Sequence, residues 1–185
     1  DTMALIKQLD EVGVDALLLQ DMGVLSKIVA EMPDRHFQLH ASTQCDSRSI
    51  EKVKWLHAQG FQRVVLAREL SAEEIAQIHA ALPDVELEAF VHGALCVSYS
   101  GVCYASQYCF HRSANRGECA QFCRMKFDLS DSDGHVIERQ RHLLSLKDMS
   151  QIDNLKELAD AGACSFKIEG RLKDVEYVKN VVSAY

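Results

Sequence analysis

The stretch from Gln59 to Ala67, QGFQRVVLA, decides the fold: a glycine that ends a helix is followed at once by a short apolar strand. The same device occurs as VGVDALLL (Val12 to Leu19) and as AGACSFKI (Ala161 to Ile168). Glycine tolerates the left-handed conformation that helices adopt just past their last turn, so each glycine reads as a helix stop. Working outward, helical spacing is predicted for Thr2 to Val12, Val24 to Glu31, Ser47 to Gln59 and Ser71 to Ala81. In the third of these Ile50, Val53, Trp55 and Leu56 form the apolar side. In the fourth, Ser71 and Glu74 form a capping box. Strands are predicted at Asp15 to Gln20, Phe37 to His40, Phe61 to Ala67 and Val85 to Val91, with a fifth at Cys164 to Glu169 after a helix marked by Leu155, Leu158 and Ala161.

Strands alternating with short helices imply a parallel sheet in an α/β protein. A (β/α)8 TIM-type barrel and a doubly wound sheet both fit this spacing. Polar residues collect where the strands end: Gln20 and Asp21; His40, Ser42, Thr43 and Gln44; Arg68 and Glu69; His92; Glu169 and Arg171. That favours the barrel, whose C-terminal mouth carries its chemistry. Five strands make a partial barrel, and the helical patterns at both chain ends lead us to expect a piece of a longer protein. Residues 1–92 are expected to be βα repeats and 93–126 a cysteine-rich loop. Residues 127–149 are expected to form a β-hairpin excursion turning at Asp133-Gly134, and 150–185 to return to βα units.

The chain has 185 residues, 48% hydrophobic and 25% charged, enough for one core and without a disorder signature. No apolar run is long enough to span a membrane, and no signal peptide is visible. The net charge of −7 argues against bulk electrostatic binding of nucleic acid. Locally the balance reverses, because Arg112, Arg116, Arg124 and Lys126 face only Glu118 between Gln107 and Lys126.

Five of the seven cysteines lie within residues 96–123. An odd count, crowded into one loop, fits thiolate ligation in a reducing cytoplasm better than a disulfide scaffold. Cys96, Cys103, Cys119 and Cys123, spaced C-x6-C-x15-C-x3-C, sit in Gly- and Ser-containing loops and are the expected metal ligands. Cys109 is the spare, expected to pack beside Tyr108 and Phe110. Cys164 is expected to be a buried strand residue, and Cys45 lies near a strand end. Zinc sites favour closely spaced cysteine pairs, which only Cys119 and Cys123 supply. A [4Fe–4S] cluster suits four scattered thiolates at least as well, so both cofactors stay open. Gly93, Gly101 and Gly117 would let backbone N–H groups approach cluster sulfurs.

The run HGALCVSYSGVCYASQYCFHRSANRGECAQFCR is similar to the signature of the collagenase-like peptidase U-32 family. ASTQ (Ala41 to Gln44), LLSLKDM (Leu143 to Met149) and SFKIEGR (Ser165 to Arg171) resemble further family motifs. The wording is nearest to the RNA-hydroxylating branch of that family. The resemblance implies a barrel, a cysteine-ligated iron–sulfur cluster and oxygen-independent hydroxylation of a pyrimidine, cytidine at C5, in ribosomal RNA. It names prephenate as the small-molecule hydroxyl donor and transfer RNA as the less favoured substrate. Many relatives carry a cysteine where Ser150 stands here, which favours Cys119 and Cys123 as the last two ligands.

A dicarboxylate donor calls for cations, and Arg68, Arg112, Arg116 and Arg171 are the candidates, each equally readable as a surface ion pair. Glu169 is a catalytic candidate that could also pair with Arg171. His40 and His92 are candidate proton donors or satisfied structural histidines. Tyr104, with Tyr99, Tyr108 and Phe110, offers a stacking surface for a splayed-out base, or simply packing around a cluster. Proteolysis is the alternative function, although no G-x-S-x-G or H-E-x-x-H motif is present. A structural zinc module that binds RNA is the second alternative.

Overall fold

A computed structural model of the chain describes residues 1–100 and 102–185; Gly101 lies outside the described residues. The elements run α1 (Thr2–Val12), β1 (Ala16–Leu19), α2 (Met22–Glu31), β2 (Gln38–Ala41), α3 (Ile50–Ala58), β3 (Arg63–Val65), α4 (Ala72–Ala81) and β4 (Glu86–Gly93). They continue with α5 (Ala105–Phe110), β5 (Phe127–Ser130), β6 (Val136–Arg141), β7 (Met149–Ser150), α6 (Leu155–Asp160), β8 (Ala163–Glu169) and α7 (Val175–Ala184).

Local chemistry sets these boundaries. Gly13, Gly60 and Gly162 all take positive φ, ending their helices as expected. Ser71 accepts from the Glu74 backbone N–H at 3.3 Å while the Glu74 carboxylate accepts from the Ser71 N–H at 2.7 Å, closing the capping box.

Strands β1, β2, β3, β4 and β8 pair side by side in parallel, in chain order and without reversal. A doubly wound sheet reverses its strand order, so this sheet is not one. Right-handed crossovers that always advance in one direction place the crossover helices α2, α3, α4 and α6 on the same face. Accordingly α1 packs on α2, α3 on α4 and α4 on α6. Leu39, Val64, Leu87 and Val91 meet Ile28, Val53, Leu56 and Ile78 there in one buried core. The sheet is open, with β1 and β8 at its parallel edges. The short β7 adds antiparallel to the end of β4, pairing Ser150 with His92 and Met149 with Gly93.

The opposite face is polar. Alternation turns His40, Arg63 and Glu88 away from the helices. Glu88, 7% exposed, accepts from Ser165 Oγ at 2.9 Å and Lys167 Nζ at 3.0 Å, while Arg63 bridges Glu86 and Glu88. Burial works to raise the Glu88 pKa, but Lys167, Ser165 and Arg63 outweigh it and the carboxyl is held below its usual range.

Three expectations are corrected here. Trp55 is 44% exposed, its ring covered by Lys52 instead of the core, because Val53 and Leu56 already fill the buried stripe of α3. Cys164 is exposed, since β8 has no partner beyond β4 and its outer edge stays open. Cys109 is exposed on α5 and packs against no core. The β5–β6 hairpin turns through Gly134 at φ 85°, and all six β6 residues are exposed.

Candidate functional site

The site is assembled at the C-terminal ends of the parallel strands. After β2, Ser42 caps a short turn over Thr43–Cys45, and Thr43 Oγ1 donates to the Leu66 carbonyl at 3.3 Å, presenting Gln44. After β3, Glu69 reaches the cysteine loop and accepts from the Ser100 N–H at 2.8 Å and Ser100 Oγ at 3.1 Å. After β8, Arg171 donates from Nη1 to the Gly117 carbonyl at 3.2 Å. Gly117 sits at φ +84°, a left-handed conformation that favours glycine, and a Cβ there would lie 2.8 Å from that guanidinium nitrogen and push the Arg171 side chain aside.

Cys96, Cys103, Cys119 and Cys123 all line one cavity of about 160 Å³, together with Ser106, Arg124, Arg171 and Lys173. None of the seven cysteines is in a disulfide. Sulfur-directed donors are in place. The Gln121 N–H points at the Cys119 sulfur at 3.4 Å, and Ser106 Oγ approaches it at 3.9 Å. Arg124 Nη1 donates to the Cys123 sulfur at 3.4 Å. Burial pushes the Cys123 thiol up, Arg124 pulls it down, and the neighbouring Cys96 and Cys119 push it up again. No three of the four sulfurs lie within 4.8 Å of one another. A single tetrahedral zinc would hold them about 3.8 Å apart, so the cavity as built is wider than a mononuclear site.

Beside it lies a cleft of about 670 Å³ lined by Asp21, Gln44, Phe90, Asn115, Arg116 and Lys167 among others. Gln44, Arg68, Asn115, Gly117, Glu169 and Arg171 line both spaces and form the shared wall. Arg68 spans it: Nη2 donates to Glu169 at 3.1 Å, and the guanidinium carbon stands 3.8 Å from the Phe90 ring centroid. The Arg68 Nε has no hydrogen-bond partner.

The expected residues divide. The structure brings together the four cysteines, Arg68, Arg116, Arg171 and Glu169. Glu169 pairs with Arg68 instead of Arg171, which is turned to the Gly117 carbonyl. Arg112 lies outside both spaces, its Nη2 on the Cys119 carbonyl at 3.5 Å. Tyr104 is exposed beyond the cavity rim. His40 is buried on the polar sheet face, 3.1 Å from Gln38 Oε1, with its pKa lowered by burial and then by Arg63. His92 lies between the Tyr177 and Tyr185 rings, its Nδ1 3.2 Å from Tyr185 Oη, away from both spaces. Cys45 is buried in the core, its Sγ on the Leu19 carbonyl at 3.6 Å. Ser150 lines neither space, being paired with His92 on β7.

Gln44, Asn115, Arg124, Lys167 and Lys173 are additional wall residues absent from the sequence-derived candidates. Gln44 and Lys167 belong to ASTQ and SFKIEGR, so those motifs carried the signal; Lys173 is positioned by Asp148 of LLSLKDM at 2.6 Å.

These features define a class: a parallel α/β domain with a thiol-lined cavity set against a cleft lined by arginines and a lysine at its strand ends. The chain belongs to peptidase family U32, whose family model matches residues 1–185. It is 52% identical over 181 residues, 98% of this chain and 27% of the relative, to "23S rRNA 5-hydroxycytidine C2501 synthase" of Escherichia coli (strain K12). It is 36% identical to "tRNA hydroxylation protein P1" of Bacillus subtilis (strain 168), over 97% of this chain and 43% of that one. It is 37% identical to "Collagenase" of Porphyromonas gingivalis (strain ATCC BAA-308 / W83), over 80% of this chain and 38% of that one. The chain therefore spans less than half the length of these curated relatives. No helix among the described residues is long and apolar enough to cross a membrane.

Proposed function

We propose that this chain is the site-bearing part of an enzyme that hydroxylates cytidine at C5 in ribosomal RNA. The reading rests on one observation: four thiols share a wall, through Arg68, Glu169 and Arg171, with a cleft lined by Arg116 and Lys167. The 52% identity to a ribosomal RNA 5-hydroxycytidine synthase, against 36% to a transfer RNA protein, supports ribosomal RNA as the substrate.

Cys96, Cys103, Cys119 and Cys123, which line one cavity, would hold a [4Fe–4S] cluster. When bound, the cluster supplies one-electron or Lewis-acid chemistry at the cavity wall. The remaining work falls to this chain's own side chains. Arg68, Arg116 and Arg171 would neutralise and orient the two carboxylates of prephenate, the hydroxyl donor, and Lys167 adds a further positive charge on the cleft wall. Glu169, held by Arg68, stands where the two spaces meet and is placed to accept a proton from the reacting pyrimidine. The unreversed strand order and the site at the strand ends support reading the sheet as one arc of a (β/α)8 barrel. Free cysteines suit the reducing cytoplasm.

A peptidase reading has no comparable support. Among the described residues no serine, threonine or cysteine side chain is hydrogen-bonded to a histidine, the pairing that nucleophilic proteolysis uses.

The test is anaerobic purification with iron and sulfide analysis, combined with nucleoside mass spectrometry of ribosomal RNA from cells in which the protein is replaced by its Cys96→Ala variant. About four irons and four sulfides per chain, with loss of 5-hydroxycytidine in the variant, are expected. Stoichiometric zinc without iron, or undiminished 5-hydroxycytidine, overturns the reading.

A further inference from the structure

The cysteine loop does more than line a cavity, for it also turns an unusual aromatic surface outward. Tyr99, Tyr104 and Tyr108 are 61%, 60% and 88% exposed, and Val97, Val102 and Phe110 are open as well. Scattered apolar residues on a surface need no explanation, but six large exposed ones within fourteen residues of sequence mark this loop as a candidate partner surface. Tyr104 and Tyr108 stand one helical turn apart, joined by the Tyr108 N–H to Tyr104 carbonyl bond at 3.0 Å, and so share one face of α5.

The charge around this patch selects the partner. Between Glu88 and Glu118 the chain holds no carboxylate, although its net charge is −7. The same stretch contributes Arg112, just past the left-handed His111 that ends α5, and Arg116, both exposed. Arg48 comes from the loop before α3 and places its guanidinium 4.5 Å from the Tyr99 ring centroid. Flat exposed rings interleaved with arginines suit a partner that offers both π-faces and negative charge. Arg48 is itself paired with Asp46 at 2.6 Å and Glu69 holds the adjoining Ser100, which leaves Arg112 and Arg116 as the cations of the patch. Single-stranded nucleic acid does so, since bases stack on aromatic rings while arginines take the phosphates. A second copy of this chain fits poorly, because a two-fold interface would set these arginines against their own counterparts. The patch also adjoins the site: Val97 and Tyr99 line the thiol cavity and Arg116 lines the cleft.

We propose that the outward face of residues 97–100 and 102–116 is the docking surface for a looped, unpaired RNA segment. Tyr104 and Tyr108 stack its bases, and Arg112 engages a phosphate. A strand held there leads the adjoining nucleotide past Arg116 into the cleft, so the enzyme acts on loops instead of duplex. The inference rests on the RNA-hydroxylase reading and assigns that site its RNA-gripping surface.

Fluorescence anisotropy with a labelled RNA hairpin bearing a pyrimidine-rich loop tests it on the complete protein. The Tyr104→Ala/Tyr108→Ala variant should raise Kd about tenfold or more, while Tyr104→Phe/Tyr108→Phe retains wild-type binding because the π-faces remain. Arg112→Gln should lower the slope of log K against log salt by about one unit. A fully paired duplex of the same sequence should bind more weakly than the hairpin. Wild-type binding and ribosomal hydroxylation that both persist in the double alanine variant overturn this surface and leave the function intact. Absence of both binding and hydroxylation in the wild-type protein overturns the function with it. A concentration-dependent dimer abolished by the alanine variant assigns the patch to self-association and also overturns the proposal.

Discussion

The Arg124 guanidinium bridges Leu95 and Cys123, donating from Nη2 to the Leu95 carbonyl at 2.5 Å and from Nη1 to the Cys123 sulfur at 3.4 Å. Leu95 directly precedes Cys96, so one side chain sets the separation between the first and last thiols of the set. The Arg124 carbonyl in turn accepts from His142 Nδ1 at 2.9 Å, which ties this bridge to the segment after the β5–β6 hairpin. A cationic donor aimed at a sulfur stabilises its thiolate, and would stabilise a metal group held by that thiolate. Arg124→Gln is expected to release iron to a chelator about ten- to a hundredfold faster, in line with roughly 1.5–3 kcal/mol for a hydrogen bond to a charged group. Arg124→Lys should recover only part, because an ammonium cannot hold both acceptors at once. The measurement is the decay of visible absorbance under anaerobic chelation, with far-ultraviolet circular dichroism as the folding control. Unchanged decay in the glutamine variant would remove Arg124 from this role.

The partition of the cysteines gives a second expectation. Cys96, Cys103, Cys119 and Cys123 line the cavity, whereas Cys109 and Cys164 are exposed elsewhere and Cys45 is buried in the core. Serine at any of the four should cut iron and sulfide per chain by more than half, while Cys109→Ser and Cys164→Ser keep the full complement. Elemental analysis of anaerobically purified variants decides it. Full iron in Cys119→Ser together with loss in Cys109→Ser would reassign the ligand set.

The alternating framework was legible because it rests on local signals. The glycine stops, the Ser71–Glu74 box and the apolar spacing of α3 and α4 act within a few residues of themselves. The four cysteines were legible because they lie in a loop whose composition gives them no packing role. What escaped depends on long-range closure. His92 ends an apolar strand beside a glycine, and its position read as a barrel mouth. Its surroundings are set by Tyr177 and Tyr185, which return from α7 after more than eighty intervening residues. Tyr185 Oη donates to the Val91 carbonyl at 2.7 Å, and burial with the Asp148 hydrogen bond pushes the Tyr177 pKa up to about 12. Lys167 and Lys173 escaped likewise, since a lysine in an alternating strand or after a turn looks like ordinary surface until the fold closes over it.

The approach of β4 to β8 makes Gly93 a sharp structural test. Gly93 has φ +118°, and a Cβ there would lie 2.3 Å from the Glu169 carbonyl oxygen and 2.7 Å from the Glu169 Cβ. Both obstacles belong to backbone or its first side-chain carbon and cannot swing aside. Gly93→Ala therefore strains the left-handed backbone and forces β8 outward at the residue that holds Arg68, costing about 3 kcal/mol. Chemical denaturation should show that loss. Gly13→Ala, also at positive φ but with open space around its Cβ, should cost only about 1 kcal/mol. Equal losses at the two positions would mean that the Glu169 contact is relieved cheaply.

Glu88 supplies the pH dependence of the sheet's polar face. Burial opposes its ionisation, but Lys167, Ser165 and Arg63 hold the carboxylate, and Glu86 shares Arg63 while His40 packs nearby. The folded pKa is thus lower than the unfolded value of about 4.3. A depressed carboxyl pKa gives stability that is complete above the unfolded pKa and is lost as the pH falls through the folded one. Glu88→Gln should accordingly destabilise the protein at pH 7 by about 1–3 kcal/mol, the cost of losing the charge that the half-buried Lys167 and Arg63 face. The wild-type advantage should shrink as the pH drops below about 4, because the protonated wild-type carboxyl then resembles the amide. Urea midpoints of the two proteins, followed from pH 7 down to the acid limit, check the sign. A gap that widened toward acid would mean that desolvation outweighs the lysine and arginine and that the carboxyl is raised instead.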